Sequence, residues 1–286
     1  MTTRDTGPVL ALTGGSGFLG RHVLVALENR GVSVRAVSRR ELNPRFGSWI
    51  GTSLEDADDA VIARIASSHS LLHLAWGGLP DYASDRHLNH ELEIQTVFLE
   101  RLFRAGLRSL VISGTCLEYG MQEGELREIM PTVPEVAYAR AKDHLRRRTE
   151  RLCERWGVRL AWARIFYVFG PGQHRNSLWP QLQEAMSRGA ARFPMSPGQQ
   201  TRDFIPVREA ADILVRLAIG QSNAGVVNLC SGRPVKVEDQ VRHWLAERDS
   251  KMELLLGAMP YPPYEPLCFW GSRAYLDRQL SMSTHA

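Results

Sequence analysis

Short apolar runs alternate along the chain with longer stretches whose apolar residues recur at helical spacing. Residues 8–13 read as a strand and 18–27 as a helix, with Gly14-Gly15-Ser16-Gly17 between them. A second strand over 33–37 precedes a third that closes near 51–54, a helix over 55–67 and a fourth strand that ends in His73-Leu74-Ala75-Trp76-Gly77-Gly78. The pattern then predicts a long helix over 82–105, a fifth strand over 108–113, a helix carrying 138–156 and a sixth strand over 159–168. Near-continuous apolar strands are buried on both faces, and strand–helix repeats of this kind build a parallel sheet covered by helices. The expected fold is α/β, a doubly wound parallel sheet.

Beyond 168 the rhythm changes. Helices are expected over 178–188, 207–219 and 235–247, with a short strand over 226–229. The prolines of 260–266 exclude helix there, because proline lacks the backbone donor. We therefore expect 1–168 to form mainly one domain and 169–286 mainly a smaller lobe, some of whose strands and helices return to the first domain. No internal repeat or low-complexity run interrupts this division, and the tail 281–286 is expected to fray.

Composition narrows the class. The 286 residues are 44% hydrophobic and 23% charged, with a formal charge of +4. The arginines are scattered among acidic residues, which describes a solvated surface and not a nucleic-acid footprint. Cys116, Cys153, Cys230 and Cys268 are widely separated and no His cluster has ligand spacing. Free thiols, a reducing compartment and no metal are expected. The N-terminus lacks the apolar core of a signal peptide and no apolar run is long enough to span a bilayer, so a cytoplasmic protein is expected.

Candidate chemistry centres on Tyr138 and Lys142. Residues four apart share one helix face, so a phenol and an ammonium can meet in one small volume. An isolated Tyr-x-x-x-Lys is as readily a solvated pair, but the chain has only three lysines, at 142, 236 and 251. A fixed cation lowers a phenol's pKa towards working pH and makes it a proton carrier for a carbonyl or alcohol oxygen. Thr115, at the end of the fifth strand, is placed to hydrogen-bond that oxygen. Gly14 to Gly17 follow a strand and open a helix, the context in which a glycine turn cradles a dinucleotide pyrophosphate. Ser38-Arg39 ends the second strand where a carboxylate would favour NAD, so the pair leans towards NADP. Small residues after His73 let the backbone at Ala75 approach a cofactor, and Trp76 either lines a cleft or is a structural aromatic.

Together these segments resemble an extended short-chain dehydrogenase/reductase of the nucleotide-sugar epimerase and dehydratase superfamily. The resemblance is carried by Thr-Gly-Gly-Ser-Gly-Phe-Leu-Gly at 13–20, Ser-Gly-Thr-Cys-Leu-Glu-Tyr-Gly at 113–120, and Tyr138-x-x-x-Lys142. Arg-Ile-Phe-Tyr-Val-Phe-Gly-Pro-Gly-Gln at 164–173, Gln-Thr-Arg-Asp-Phe-Ile-Pro-Val at 200–207 and Val-Asn-Leu-Cys-Ser-Gly at 227–232 complete it. It is most similar to reductases of nucleotide-linked 4-keto-6-deoxy sugars, as in abequose- or talose-type pathways.

The resemblance implies a Rossmann-like first domain, a substrate-binding lobe and an NADP or NAD cofactor. It makes Tyr138 the general acid/base, gives Lys142 the nicotinamide ribose, and gives Thr115 the sugar C4 oxygen. Gly14, Gly17, Phe18 and Leu19 would cradle the pyrophosphate, with Ala75 beside the cofactor. Arg202 would hold the diphosphate of a nucleotide sugar, with Asn176 and Ser177 as further candidates. Cys116 and Leu117 stand where dehydratases carry an acidic pair, which argues against 4,6-dehydration. Tyr167 replaces a frequent Asn, the late Arg has no match in 259–265, and Glu91 falls near the place of a further Asn.

The expected reaction is reduction of the 4-keto group of a nucleotide-linked 6-deoxyhexose. A 4-epimerase using the same three residues with retained NAD, a non-catalytic NADP sensor, and a reductase of another carbonyl remain as alternatives. Homodimers formed through a four-helix contact are common in the superfamily, and the helices over 82–105 and 138–156 can supply one.

Overall fold

The computed structural model describes residues 8–220 and 223–282. The chain runs through β1 (Val9–Thr13), α1 (Phe18–Glu28), β2 (Ser33–Ser38), a 3₁₀ turn at Pro44–Phe46 and β3 (Gly47–Gly51). α2 (Asp59–Ala66) leads to β4 (Ser70–His73), and a π-helical turn at His87–Glu91 opens α3 (Leu92–Arg104). β5 (Ser109–Thr115) ends in a 3₁₀ turn at Cys116–Tyr119, followed by β6 (Gly124–Leu126), α4 (Ala137–Trp156), β7 (Arg159–Ile165) and β8 (Tyr167–Phe169). Then come α5 (Leu178–Ser187), β9 (Arg192–Pro194), β10 (Thr201–Pro206), α6 (Val207–Ile219) and β11 (Gly225–Leu229). β12 (Pro234–Lys236), α7 (Val237–Ala246), β13 (Glu253–Leu255), β14 (Phe269–Gly271) and α8 (Ala274–Met282) complete the order.

The main sheet has seven parallel strands in the order β11-β7-β5-β4-β1-β2-β3. The order reverses between β1 and β4, and ligands of such sheets bind at that switch, outside the carboxyl ends of the strands. Alternate residues of the central strands feed two different cores. Leu10, Leu12, Val111 and Ala163 pack with Leu24 and Leu27 of α1 and Leu214 of α6. Ala11, Leu71, Leu110, Ile112 and Trp162 pack on the other side with Phe98, Leu99 and Leu102 of α3 and Leu145 of α4. Burial on both faces is why these strands lack polar alternation.

A third core joins α5, β9 and α7, where Leu182, Phe193, Val241 and Trp244 pack together. A fourth sits beside the Cys116 turn and joins Cys116, Tyr119 and Leu126 to Phe166, Cys230 and Phe269. β8, β10 and β12 form a small sheet, with β8 parallel and β12 antiparallel to β10.

Several expected boundaries move. β3 closes at Gly51, so 52–54 is loop, and α2 starts only at Asp59 because the Asp58 side chain accepts from Val61 N at 2.8 Å and caps it there. The helix expected from 82 starts with the turn at His87–Glu91, since residues 76–86 form a loop whose Tyr82 carbonyl accepts from Tyr138 N at 3.0 Å. The sixth strand breaks at Phe166, whose amide bonds Leu229 O, and β8 turns away to pair with β10. Residues 234–236 form β12 ahead of α7. At the tail, Ser281 and Met282 still belong to α8, and 283–286 lie outside the described residues, as do the N-terminal residues 1–7.

Candidate active site

The site starts at the β1–α1 turn. Gly14 has φ +73°, and a β-carbon on it would lie 2.8 Å from Ala75 N and from Leu74 C, so the turn rests directly on the end of β4. Gly17 is the N-cap of α1 and its amide bonds Gly14 O at 3.0 Å. A β-carbon on Gly20 would come within 2.1 Å of Gly14 O, so α1 packs against the turn only because residue 20 is also glycine. No side chain caps α1 and no acidic residue stands in its first turn, where Phe18 and Leu19 are half-buried. An open helix N-terminus behind a glycine turn suits an anionic pyrophosphate. Gly20 was absent from the expected site, although its three-residue spacing from Gly14 and Gly17 was visible.

Beside this turn, four groups close a ring in which every donor has an acceptor. Ala75 N–H donates to Thr13 Oγ1 (3.3 Å), the Thr13 hydroxyl donates to His73 Nδ1 (2.8 Å), and His73 Nε2 donates to Gln95 Oε1 (2.5 Å). Gln95 Nε2 returns to Ala75 O at 3.1 Å, which fixes the amide's orientation and hence the neutral His73 tautomer. Burial holds the His73 pKa down at about 4, with Gln95 partly opposing and Lys142 adding to the depression. Ala75 is thereby clamped at both its amide and its carbonyl.

Tyr138 and Lys142 are both buried in the first turns of α4, which packs against β5 and the Cys116–Tyr119 turn. Tyr138 stands among Tyr82 (ring centroids 5.4 Å), His87 (5.3 Å) and Trp76 (5.8 Å). His87 accepts from Trp76 Nε1 at 3.1 Å and donates to Asp81 O at 2.8 Å, which holds the indole in place. Lys142 Nζ donates to Ser113 O at 2.7 Å and lies 4.0 Å from the Trp76 ring centroid. Burial brings the Lys142 pKa down to about 7 against the opposing pull of Glu118 and Glu91.

One expectation is reversed here. Burial raises the Tyr138 pKa far above the ordinary phenol value, and Tyr82, Glu118 and Cys116 add to the rise. Lys142 does not offset it, because its ammonium turns to Ser113 O and Trp76 and stands 5.9 Å from the Tyr138 ring centroid. The phenol is neutral at neutral pH in this arrangement, the form that donates a proton.

Thr115 is the N-cap of the Cys116–Tyr119 turn. Its Oγ1 accepts from Leu117 N at 3.3 Å, while Glu118 Oε1 accepts from Thr115 N at 3.0 Å, which forms a capping box. Its hydroxyl proton is therefore not needed by the turn. Glu118 is fully buried and also accepts from Trp162 Nε1 at 3.0 Å and Arg164 Nε at 2.8 Å.

The remaining expected residues lie further out. Ser38 closes β2, where its hydroxyl donates to Arg40 O (2.5 Å) and Trp49 Nε1 donates to its carbonyl (3.1 Å), and Arg39 is exposed. Arg202 is buried in the lobe: it donates to Thr201 O, Leu267 O and Glu265 (2.9 Å) and lies 4.6 Å from the Phe269 ring centroid. Asn176 is exposed, and Ser177 is the N-cap of α5 without using its side chain. The expected residues thus fall into a compact group around β1, β4, β5 and α4, the Ser38–Arg39 strand end, and a lobe group.

Sequence reading missed Tyr82, His87, Glu118 and Glu265. His87 and Tyr82 carry no motif, and their role follows from the fold of the 76–86 loop. Among the described residues no cluster of three or more His, Cys, Asp or Glu side chains could hold a metal, and no helix is long and apolar enough to cross a membrane. All four cysteines are free.

Residues 10–230 match the profile of the NAD dependent epimerase/dehydratase family. The chain is 25% identical over 274 residues to a dTDP-6-deoxy-L-talose 4-dehydrogenase (NAD(+)) of Aggregatibacter actinomycetemcomitans, covering 92% of this chain and 99% of that protein. It is 24% identical over 319 aligned residues to a UDP-glucose 4-epimerase of Neisseria meningitidis serogroup B, covering 96% of this chain and 92% of the relative. In fold it is similar to a UDP-N-acetylglucosamine 4-epimerase from Methanobrevibacter ruminantium, with a TM-score of 0.84, 22% identity and 98% of each chain covered.

Proposed function

The chain belongs to the NAD dependent epimerase/dehydratase family, and on that premise we propose that it reduces the 4-keto group of a nucleotide-linked 6-deoxyhexose. As an enzyme it is an NAD(P)-dependent oxidoreductase of nucleotide sugars. One observation carries the finer reading: Tyr138 and Lys142 are buried together against the end of β5, where Thr115 keeps a hydroxyl proton free of its turn. A relative named as a 4-dehydrogenase of a dTDP-linked 6-deoxyhexose, aligned over almost its whole length, supports the same reading.

The bound nicotinamide supplies the hydride exchanged with sugar C4. In the reductive direction the neutral Tyr138 phenol gives its proton to the forming C4 alkoxide, and Thr115 hydrogen-bonds that oxygen. Lys142 would hold the nicotinamide ribose, while Gly14, Gly17, Phe18, Leu19 and Ala75 would line the dinucleotide path. On the substrate side, mainly contributed by residues 169–286, Arg202 would hold the diphosphate, with Asn176 and Ser177 near it. The carboxylate-free end of β2 at Ser38, with Arg39 exposed, supports NADP over NAD.

The decisive experiment is Tyr138→Phe, assayed by NADPH oxidation with dTDP-, UDP-, GDP- and CDP-linked 4-keto-6-deoxyhexoses. Loss of a general acid should lower kcat about 10²–10⁴-fold, with cofactor affinity nearly unchanged. Near-normal turnover of the variant would remove Tyr138 from the reaction. Should the purified protein instead carry bound NAD and interconvert C4 epimers with no net cofactor change, it is the epimerase.

A further inference from the structure

We propose that Glu118 is the positioning residue of this site: its carboxylate, anchored from behind by Trp162 and Arg164, fixes the Thr115 peptide so that the Thr115 hydroxyl is reserved as a donor. The inference deepens the proposed function and rests on its reading of Thr115. A carboxylate offers about four acceptor sites. Here Oε1 takes Thr115 N–H and Trp162 Nε1 at 3.0 Å each, Oε2 takes Arg164 Nε at 2.8 Å, and Arg146 Nε stands 3.8 Å away. An amide in its place would have only one acceptor oxygen and would turn an N–H₂ group against a guanidinium.

The surroundings are shaped for this pair. A β-carbon on Gly114 would lie 2.2 Å from Trp162 Nε1 and 2.7 Å from Glu118 Oε1, so the strand carries glycine immediately before Thr115 to admit the indole and carboxylate. Arg164 lies 4.4 Å from the Tyr119 ring centroid, and the Tyr119 hydroxyl in turn donates to Asn228 Oδ1 at 2.7 Å. The anchor is therefore braced by β11 as well as β7. Glu118 and all three of its close donors are at least nine-tenths buried. Removing one partner of such a network leaves an uncompensated charge, and a network this costly to bury is kept for geometry more than for stability. With Oγ1 already accepting from Leu117 N, the single proton of Thr115 has no acceptor to serve within the turn.

The test is a double-mutant cycle of Thr115→Ala and Glu118→Gln, with dTDP-4-keto-6-deoxyglucose and NADPH as probe. Thr115→Ala should lower kcat about a hundredfold, as loss of one preorganised donor does. Glu118→Gln should lower it about tenfold or more through misplacement, with cofactor affinity within about twofold of wild type. The double variant should lose much less than the product of the two single losses, because Glu118 acts mainly through Thr115, its charge bearing also on Tyr138 and Lys142. Losses that multiply, or Glu118→Gln at wild-type kcat beside a slow Thr115→Ala, would overturn the proposal. If Thr115→Ala itself turns over normally, it is the reading of Thr115 that fails.

A second measurement is independent of substrate. Amide hydrogen exchange across residues 113–119 should accelerate in Glu118→Gln while 138–156 stays protected, and unchanged exchange counts against the proposal. Should Glu118→Gln not fold, Trp162→Phe removes one donor and keeps the Arg164 pair. It should show the same exchange pattern at smaller amplitude, and an unaltered pattern overturns the role.

Discussion

Single residues here are governed by burial more than by spacing. The four-residue interval between Tyr138 and Lys142 is visible in the sequence, and both side chains do enter one buried volume. Their protonation was not legible, because it depends on which groups surround them: Trp76 and Ser113 O take the ammonium, and Tyr82 and His87 enclose the phenol. The same force acts on His73, whose pKa burial lowers from 6.5 to about 4. Between those values the unfolded chain binds a proton that the folded chain refuses, so stability falls as pH falls through that window and is fully present above pH 6.5. At about 1.4 kcal/mol per unit, the contribution is on the order of 3 kcal/mol. His73→Gln removes the titration. Urea unfolding at pH 7 and pH 4.5 should therefore show a smaller pH-dependent loss in the variant than in wild type. Equal losses in both proteins would mean that His73 is protonated normally.

Among the elements, strands and helices of the first half were legible because both faces of the central strands are covered and the helices are amphipathic. Elements whose existence depends on distant partners were not. β6 exists because it pairs with β14, and β9 because it pairs with β13, partners far away in sequence. The start of α3 was misread because the 76–86 loop, with its Gly77-Gly78 and Pro80, looks helical from Tyr82 onward by period alone. In the β1–α1 unit Gly14 and Gly17 are expected to approach a phosphate, while Gly20 has a different task. Its missing β-carbon would meet backbone, Gly14 O at 2.1 Å, so Gly20→Ala must push α1 away from the turn. Overpacking of this kind costs about 1–3 kcal/mol. Because the displaced atoms belong to the turn proposed to hold the pyrophosphate, NADPH affinity should fall at least about tenfold, a loss of about 1.4 kcal/mol. Gly15 gives the contrast: a β-carbon there meets only side-chain ends of Leu42, Leu12 and Leu24, at 3.0 to 3.5 Å. Gly15→Ala should bind NADPH more tightly than Gly20→Ala, and the reverse order by fluorescence titration would contradict this account.

At the scale of the whole molecule, β10 is tied to its neighbours by buried ionisable side chains whose partners no local pattern could announce. Asp203 accepts from Ser231 N and Oγ, Gly232 N and Gly271 N, which ties β10 to the end of β11 and to β14. Next to it Arg202, expected as a diphosphate ligand, already commits three donors to two carbonyls and Glu265. The proline-rich segment was correctly read as loop, but its carboxylate was not connected to an arginine 63 positions earlier. The arginine side chain is only 2% exposed and Glu265 15% exposed, so Glu265→Gln leaves a buried cation with weaker compensation. Breaking a buried pair costs about 3–5 kcal/mol when one partner's charge is lost, so the unliganded variant should melt at a lower temperature than wild type. Nucleotide diphosphates such as dTDP and UDP should then raise the melting temperature more in the variant than in wild type, because the diphosphate no longer competes with a carboxylate for the guanidinium. A larger ligand-induced rise in wild type would place the diphosphate elsewhere and leave Arg202 as a purely structural clasp between the 260–267 segment and β10.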